Sequence, residues 1–155
     1  MVFMSDETKQ YWNEFLKANP NVPPETPYQV WYFGDGRELA DELAALVTAG
    51  KKTATASLYW EYEAEGEAMP QVGGYSVITS FDGEPQCILQ TTEIRILPFE
   101  QVDAQFAADE GEGDLSLEYW RDAHWRFFSR ACERLGLQPG PHMPVVCERF
   151  RKVYP

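Results

Sequence analysis

The sequence predicts an α+β domain built on a small barrel or curled sheet. Three observations carry this reading. The 155 residues are 44% hydrophobic and 14% aromatic, enough apolar mass for one sizeable core in one globular unit. Stretches with a helical apolar period and short strand-like runs follow one another in mixed order. No internal repeat or low-complexity segment appears.

The elements follow in chain order. Ser5 before Asp6 and Glu7 reads as a helix N-cap with an acidic first turn, and Tyr11, Trp12, Phe15 and Leu16 recur at helical spacing up to about Ala18. Prolines at 20, 23, 24 and 27 predict an extended connection packed over the surface. Trp31, Tyr32 and Phe33 suggest a strand, and Gly34, Asp35 and Gly36 a turn. A second helix carries Leu39, Leu43, Leu46 and Val47 and is capped by Gly50. Thr53 to Leu58 reads as a strand, and the aromatic and acidic run Tyr59 to Met69 as a long loop. Tyr75 to Phe81 and Cys87 to Ile96 form an expected hairpin, followed by a short helix from Phe99 to Ala108. Leu115 to Leu135 is the strongest helix, with Asp114 as its expected N-cap, a stripe of Leu117, Trp120, His124, Phe128, Ala131 and Leu135, and Gly136 as its end. A turn from Pro139 to Pro144 leads into a final strand up to Val153.

Charge and cysteine content narrow the function. Thirteen Lys and Arg oppose 25 Asp and Glu, for a net charge of −12, which disfavours a generic nucleic-acid coat. The imbalance is uneven, because residues 121–155 hold seven basic and three acidic side chains. A polyanion can still be bound if those few cations converge, since exposed charges beyond about 8 Å are screened. Arg126, Arg130 and Arg134 recur every four residues, a spacing that equally suits a solvated helix face. No apolar run approaches the roughly 20 residues of a membrane span. Met1 to Glu7 turns acidic at once and lacks the basic and apolar regions of a leader, so the cytoplasm is the expected location. Cys87, Cys132 and Cys147 are isolated and only two histidines exist, which argues against a disulfide framework or a zinc hydrolase. Phosphate-loop, dinucleotide and serine-elbow motifs are absent.

Three segments are candidates for chemistry. From Gly50 to Thr55 a helix end delivers Lys51, Lys52, Thr53 and Thr55 into a strand. Lys52 and Thr55 are the natural pair of cation or base and activatable hydroxyl, although regular strand parity would put them on opposite faces. They meet only if Lys52 still belongs to the turn or a bulge intervenes. Glu110, Gly111, Glu112, Gly113 and Asp114 form an acidic loop whose glycines permit close backbone approach to a ligand, with Glu110 or Glu112 as acid/base or hydrogen-bond acceptor. The loop fails the calcium-binding spacing, but its carboxylates are a candidate for holding Mg²⁺ or Mn²⁺ through water, no cofactor being otherwise required. His124 lies on an apolar stripe, where a core histidine satisfied by backbone or a carboxylate is the ordinary outcome. Tyr59, Trp60 and Tyr62 are candidates for stacking on bases or for covering the core.

Trp31 to Gly34, Leu43 to Thr55, Pro98-Phe99, Glu110 to Asp114 leading into Ser116 to Arg121 and His124, and Val146 to Phe150 together resemble the single-domain bacterial ASCH (activating signal cointegrator homology) proteins of the PUA-like superfamily. The resemblance spans about residues 28–154, leaving 1–27 as an N-terminal helix and Pro-rich connection and 28–155 as the domain proper. It implies a PUA-like small curled β-barrel flanked by helices, with a cleft for RNA or a nucleobase. Some such proteins are ribonucleases acting on single-stranded RNA, and a shorter branch hydrolyses the amide of N4-acetylcytidine. In that branch a lysine, a threonine and a downstream glutamate are catalytic, and they fall here on Lys52, Thr55 and Glu112, with Glu110 as the other match. Ser57 stands where that branch has an arginine, and Gly74-Tyr75 replaces a usual Gly-Asp.

Three functions follow. In a ribonuclease, the first expectation, Lys52 contacts the scissile phosphate, Glu112 or His124 moves protons, and Arg126 and Arg130 position the strand. In an acyl-nucleoside amidohydrolase, Thr55 is the nucleophile, activated by neutral Lys52, and Glu112 grips the base edge or protonates the amine. In a binding module for RNA or a modified nucleotide, the same residues bind without turnover. Lys51, Glu110, Tyr59, Trp60, His124, Arg126 and Arg130 are the expected substrate contacts, with single-stranded RNA or a nucleoside as partner and no membrane. The oligomeric state is not legible. Both enzyme readings require Lys52 and Glu112 to share a pocket.

Overall fold

The computed structural model describes residues 5–155. Residues 1–4, on which the leader expectation partly rests, lie outside the described residues. Among the described residues no helix is long and apolar enough to cross a membrane.

Helix α1 (Asp6–Ala18) starts where Ser5 accepts the Thr8 amide at 3.1 Å, and Asp6 and Glu7 meet the positive end of its dipole. The connection after it is not extended. It folds through two turns closed by Val22 N–H to Asn19 O and Thr26 N–H to Pro23 O, because proline fixes φ near a turn value as readily as near an extended one. Strand β1 (Tyr28–Trp31) precedes the position expected from its aromatics, and helix α2 is Arg37–Thr48. Strand β2 (Ala54–Leu58) runs directly into helix α3 (Tyr59–Glu65), which corrects the expected loop. The start of α3 has no side-chain cap to announce it, and Gly66 at φ 65° ends it.

Strands β3 (Tyr75–Thr79) and β4 (Pro85–Pro98) make the expected hairpin. The expected helix 99–108 divides into a 3-10 turn, Phe99–Gln101, and helix α4 (Ala104–Asp109), because Asp103 caps the second piece by accepting from the Phe106 amide at 2.9 Å. Helix α5 (Leu117–Leu135) is capped by Ser116, which accepts from Tyr119 N–H, rather than by Asp114. Asp114 instead accepts the Ser116 amide at 2.9 Å and holds the cap residue. Strand β5 is Pro144–Tyr154.

The five strands form one mixed sheet in the order β1-β3-β4-β5-β2, parallel between β1 and β3 and antiparallel elsewhere. The class is therefore α+β as expected, but the sheet is open rather than a closed barrel, with β1 and β2 at its edges. Bulges between Ile88 and Leu89 and between Thr91 and Glu93 interrupt the long β4–β5 ladder and bend it. Three apolar clusters lie on the sheet. Trp12 and Phe15 of α1 cover Val77 and Ile88, Leu43 and Val47 of α2 cover Ile78 and Leu89, and Trp120, Phe128 and Ala131 of α5 cover Ala54, Leu58 and Val145. The candidate site forms at edge strand β2, in a cavity that residues of α2 and α5 also line.

Candidate functional site

The end of α2 determines where Lys52 goes. Gly50 takes φ 77°, its amide bonds Val47 O at 3.0 Å, and the Lys51 amide bonds Leu46 O at 2.9 Å, a Schellman cap that reverses the chain. The Lys52 amide also reaches Leu46 O, so Lys52 belongs to the turn, and the strand begins only at Ala54. This removes the parity objection: Lys52 and Thr55 both line one cavity.

Lys52 is 1% exposed. Its ammonium donates to Ala54 O at 2.8 Å, Glu110 Oε1 at 3.0 Å and Glu112 Oε2 at 2.7 Å, and sits 5.4 Å from the centre of the Phe33 ring. Burial favours the neutral amine, but the two carboxylates outweigh it and raise the lysine above its ordinary range. Lys52 is therefore held charged, contrary to the neutral form expected for a base.

Glu110 is equally buried, and its second oxygen accepts from Trp120 Nε1–H and lies 3.3 Å from His124 Nε2. His124 Nδ1 is 2.9 Å from Trp120 O, which can only accept, so both ring nitrogens face acceptors and the imidazole is satisfied best as a cation. Burial opposes that charge, and Glu110 overcomes it, raising His124 above its ordinary value. Burial likewise opposes ionisation of Glu110, and Lys52 and His124 overcome it, holding this carboxyl well below the usual range. Glu112 differs: burial, aided by the Glu110 charge, outweighs Lys52 and raises its pKa. Its side chain keeps 22% exposure against 2% for Glu110. Glu110 is the locked carboxylate and Glu112 the accessible one.

Two of the loop glycines lie against protein atoms. Gly111 has φ 71°, and a Cβ there would fall 2.3 Å from Lys51 O, so only glycine lets this loop lie against the lysine turn. Gly113, at φ 60°, lies under the Tyr119 ring. Thr53 N–H to Asp109 O at 2.8 Å and the Arg149–Asp109 ion pair at 3.0 Å fasten the two segments further.

The cavity holds about 210 Å³, below the roughly 300 Å³ of ordinary small-molecule pockets, so it suits one ring-sized group. Lys52, Thr55, Glu110, Glu112, His124, Arg126 and Arg130 line it. Both arginines are exposed, and Arg130 reaches Asp35 at 3.3 Å. Three expected contacts lie outside the lining: Lys51 is exposed, Tyr59 opens α3, and Trp60 packs on the core and edge-on to His142. Sequence reasoning missed Phe33 beneath the ammonium and Trp120 as the donor that holds Glu110. The signal for Trp120 was its place four residues before His124, one helical turn away. Among the described residues no cluster of three or more His, Cys, Asp or Glu is arranged to hold a metal ion. A second hollow of about 230 Å³, lined by Glu7, Gln10, Tyr11, Glu14 and Pro85, brings together no cation.

Comparison with known proteins identifies the family and the fold. The family model described as ASCH domain matches residues 29–154. The crystal structure of an ASCH domain from Lactobacillus crispatus JV V101 superposes with a TM-score of 0.89 at 37% identity, covering 98% of this chain and 97% of that one. Protein EF3133 from Enterococcus faecalis V583 superposes with a TM-score of 0.84 at 35% identity, over 94% of this chain and 87% of that one. The hypothetical protein PH0355, 18% identical with a TM-score of 0.51 over 81% of this chain and all of its own, shares the fold alone. No curated protein matches the chain.

Proposed function

The chain belongs to the ASCH domain family, a family linked to RNA binding, and from that premise we propose that it hydrolyses an amide on an acylated nucleobase, N4-acetylcytidine being the test substrate. The observation that carries this reading is the small cavity whose lining includes Thr55, a charged, fully buried lysine and one accessible carboxyl of raised pKa. A cavity of this size accepts a base, whereas a folded RNA has to remain outside it.

The roles follow from the charges. Glu112, ionised, takes the proton of Thr55 Oγ1 as that oxygen adds to the acyl carbon. Once Glu112 carries that proton it is neutral, so the Lys52 ammonium is opposed by Glu110 alone and counters the negative charge that develops on the acyl oxygen. The tetrahedral adduct collapses, the C–N bond breaks, and Glu112 returns the proton to the departing amine. Water then adds to the Thr55 ester, Glu112 takes and returns a second proton, and the carboxylic acid leaves with the threonine hydroxyl restored. Glu110 and His124 hold Lys52 and the loop in place and transfer no proton.

The test is release of cytidine from N4-acetylcytidine, followed chromatographically. Turnover by the wild type and at least about a 100-fold loss in Glu112→Gln and Thr55→Ala support the reading. No release from this or other N4-acyl cytidines overturns it.

Cleavage of single-stranded RNA is the second reading, favoured by Arg126 and Arg130 at the outer part of the cavity. Lys52 is a poor phosphate ligand in it, because Glu110 and Glu112 already neutralise its charge. An end-labelled RNA assay, with and without Mg²⁺ or Mn²⁺, separates the two. Cleavage abolished in Arg126→Ala/Arg130→Ala with no cytidine release assigns the ribonuclease. Binding of either ligand without turnover assigns a recognition module.

A further inference from the structure

Of the seven basic side chains in residues 121–155, only Arg126 and Arg130 come to the cavity. The other five are engaged elsewhere. Arg134 pairs with Glu61 and Arg149 with Asp109, while Arg121, Arg151 and Lys152 donate to Glu100 O, Gln90 Oε1 and Thr48 O. Two cations at one rim suit one phosphate group rather than the successive phosphates of a strand, and a chain of net charge −12 repels a polyanion more than a single phosphate. The charges of the cavity are also layered. Inside, Lys52 and His124 are balanced by Glu110 and Glu112, so its depth suits an uncharged base. At the rim, Arg126 and Arg130 stand one turn apart on α5 and are met by one carboxylate, Asp35 of the segment between β1 and α2, which pairs with Arg130. No ion pair to Arg126 occurs among the described residues, so the rim keeps one positive charge in excess. The Arg130–Asp35 pair is exposed on both sides, and such pairs are weak enough for Arg130 to exchange its carboxylate for a stronger anion.

We propose that the substrate is a mononucleotide: its acylated base enters the cavity, and Arg126 and Arg130 bind a phosphomonoester on its ribose at the rim. A guanidinium presents paired N–H donors that match phosphate oxygens, and a cavity sized for one ring leaves ribose and phosphate outside, where the two arginines are. The inference rests on the amidohydrolase reading and names its substrate class. The phosphate takes no part in the chemistry, and the bonds made and broken are those of the amide step.

The test is calorimetric titration of the full chain with cytidine, cytidine 5′-monophosphate and cytidine 3′-monophosphate, which reads the rim without any turnover. At least one monophosphate should bind about 10-fold or more tightly than cytidine, and the two isomers distinguish which ribose hydroxyl carries the phosphate. Arg126→Gln combined with Arg130→Gln should bring that ratio close to one. Asp35→Asn should raise it, because the change frees Arg130 and removes a negative charge from the rim. Equal affinity for cytidine and both monophosphates in wild type, a preference that survives in the double arginine variant, or a lower ratio in Asp35→Asn overturns the inference. A single-stranded oligocytidylate with hydroxyl ends carries phosphodiesters only, and its binding more tightly than both monophosphates overturns the mononucleotide in favour of RNA. Deacetylation of N4-acetylcytidine by a wild type without phosphate preference overturns this inference alone. A preference that is lost in the double variant, without deacetylation of either the nucleoside or its monophosphates, overturns the amidohydrolase reading and leaves the phosphate site standing.

Discussion

Lys52 is the residue on which the charge balance of the site turns. Removing its ammonium leaves Glu110 and Glu112 buried without their shared counter-ion. Lys52→Met should therefore lower stability by about 3–5 kcal/mol in urea unfolding, besides abolishing turnover. The other charges predict a pH window. Glu110 is held below its ordinary value of 4.5, so its contribution is present above that pH and is lost as pH falls through the folded value. His124 is raised above 6.5, so its contribution is present below 6.5 and is lost as pH rises through the folded value. Stability measured from pH 4 to 9 should fall on the alkaline side of 6.5 in wild type, and that limb should be absent in His124→Gln. Glu112 sets a separate, kinetic limit. Because its carboxyl is raised, the rate should fall on the acid side at a pH above 4.5, with no activation at pH near the lysine range. A rate that climbs with pH through the lysine range would restore the neutral-lysine mechanism.

Among the elements, the turn after α2 and the acidic loop after α4 act as one unit, and glycines decide whether they close. Gly111→Ala puts a methyl against the Lys51 carbonyl at a left-handed backbone position. It should cost about 2–3 kcal/mol by thermal unfolding and reduce activity with it. Helix α1 offers the opposite case. Phe15 is 1% exposed in the cluster with Val77 and Ile88, apart from the residues of the cavity. Phe15→Ala should destabilise by about 3–5 kcal/mol while kcat at low temperature stays unchanged, a contrast visible by measuring melting and turnover on the same preparation. The helices with strong signals were legible in sequence: Ser5 as a cap, Gly50 and Gly136 as ends, and a long apolar stripe on α5. Helix α3 was not, because seven residues with no capping side chain leave periodicity too little length to register. Asp114 and Ser116 are both good caps, and which one serves depends on a left-handed Leu115 between them, at φ 69°, that no local rule foretells.

At the scale of the whole molecule, a chain of net charge −12 presents Arg126 and Arg130 beside a cavity whose interior pairs two cations with two carboxylates. A neutral nucleoside should therefore bind with little dependence on salt, whereas binding of single-stranded RNA should weaken steeply as salt rises, as titrations at two ionic strengths will show. Composition, charge and apolar periodicity by themselves determined an α+β domain and the residues worth suspecting, since Lys52, Thr55, Glu110 and Glu112 stand out from local residue type, while the family came from the resemblance of whole segments to known proteins. Three decisions belonged to tertiary structure alone. The sheet stays open because β2 ends the strand order rather than pairing onward to β1, which depends on contacts remote in sequence. Glu110 is locked and Glu112 accessible because Trp120 and His124, across the fold on α5, engage one carboxylate and not the other. Lys52 is an ammonium because burial brings both carboxylates to it from about 60 residues away, and the protonation state of a buried group is set by what surrounds it rather than by its own side chain.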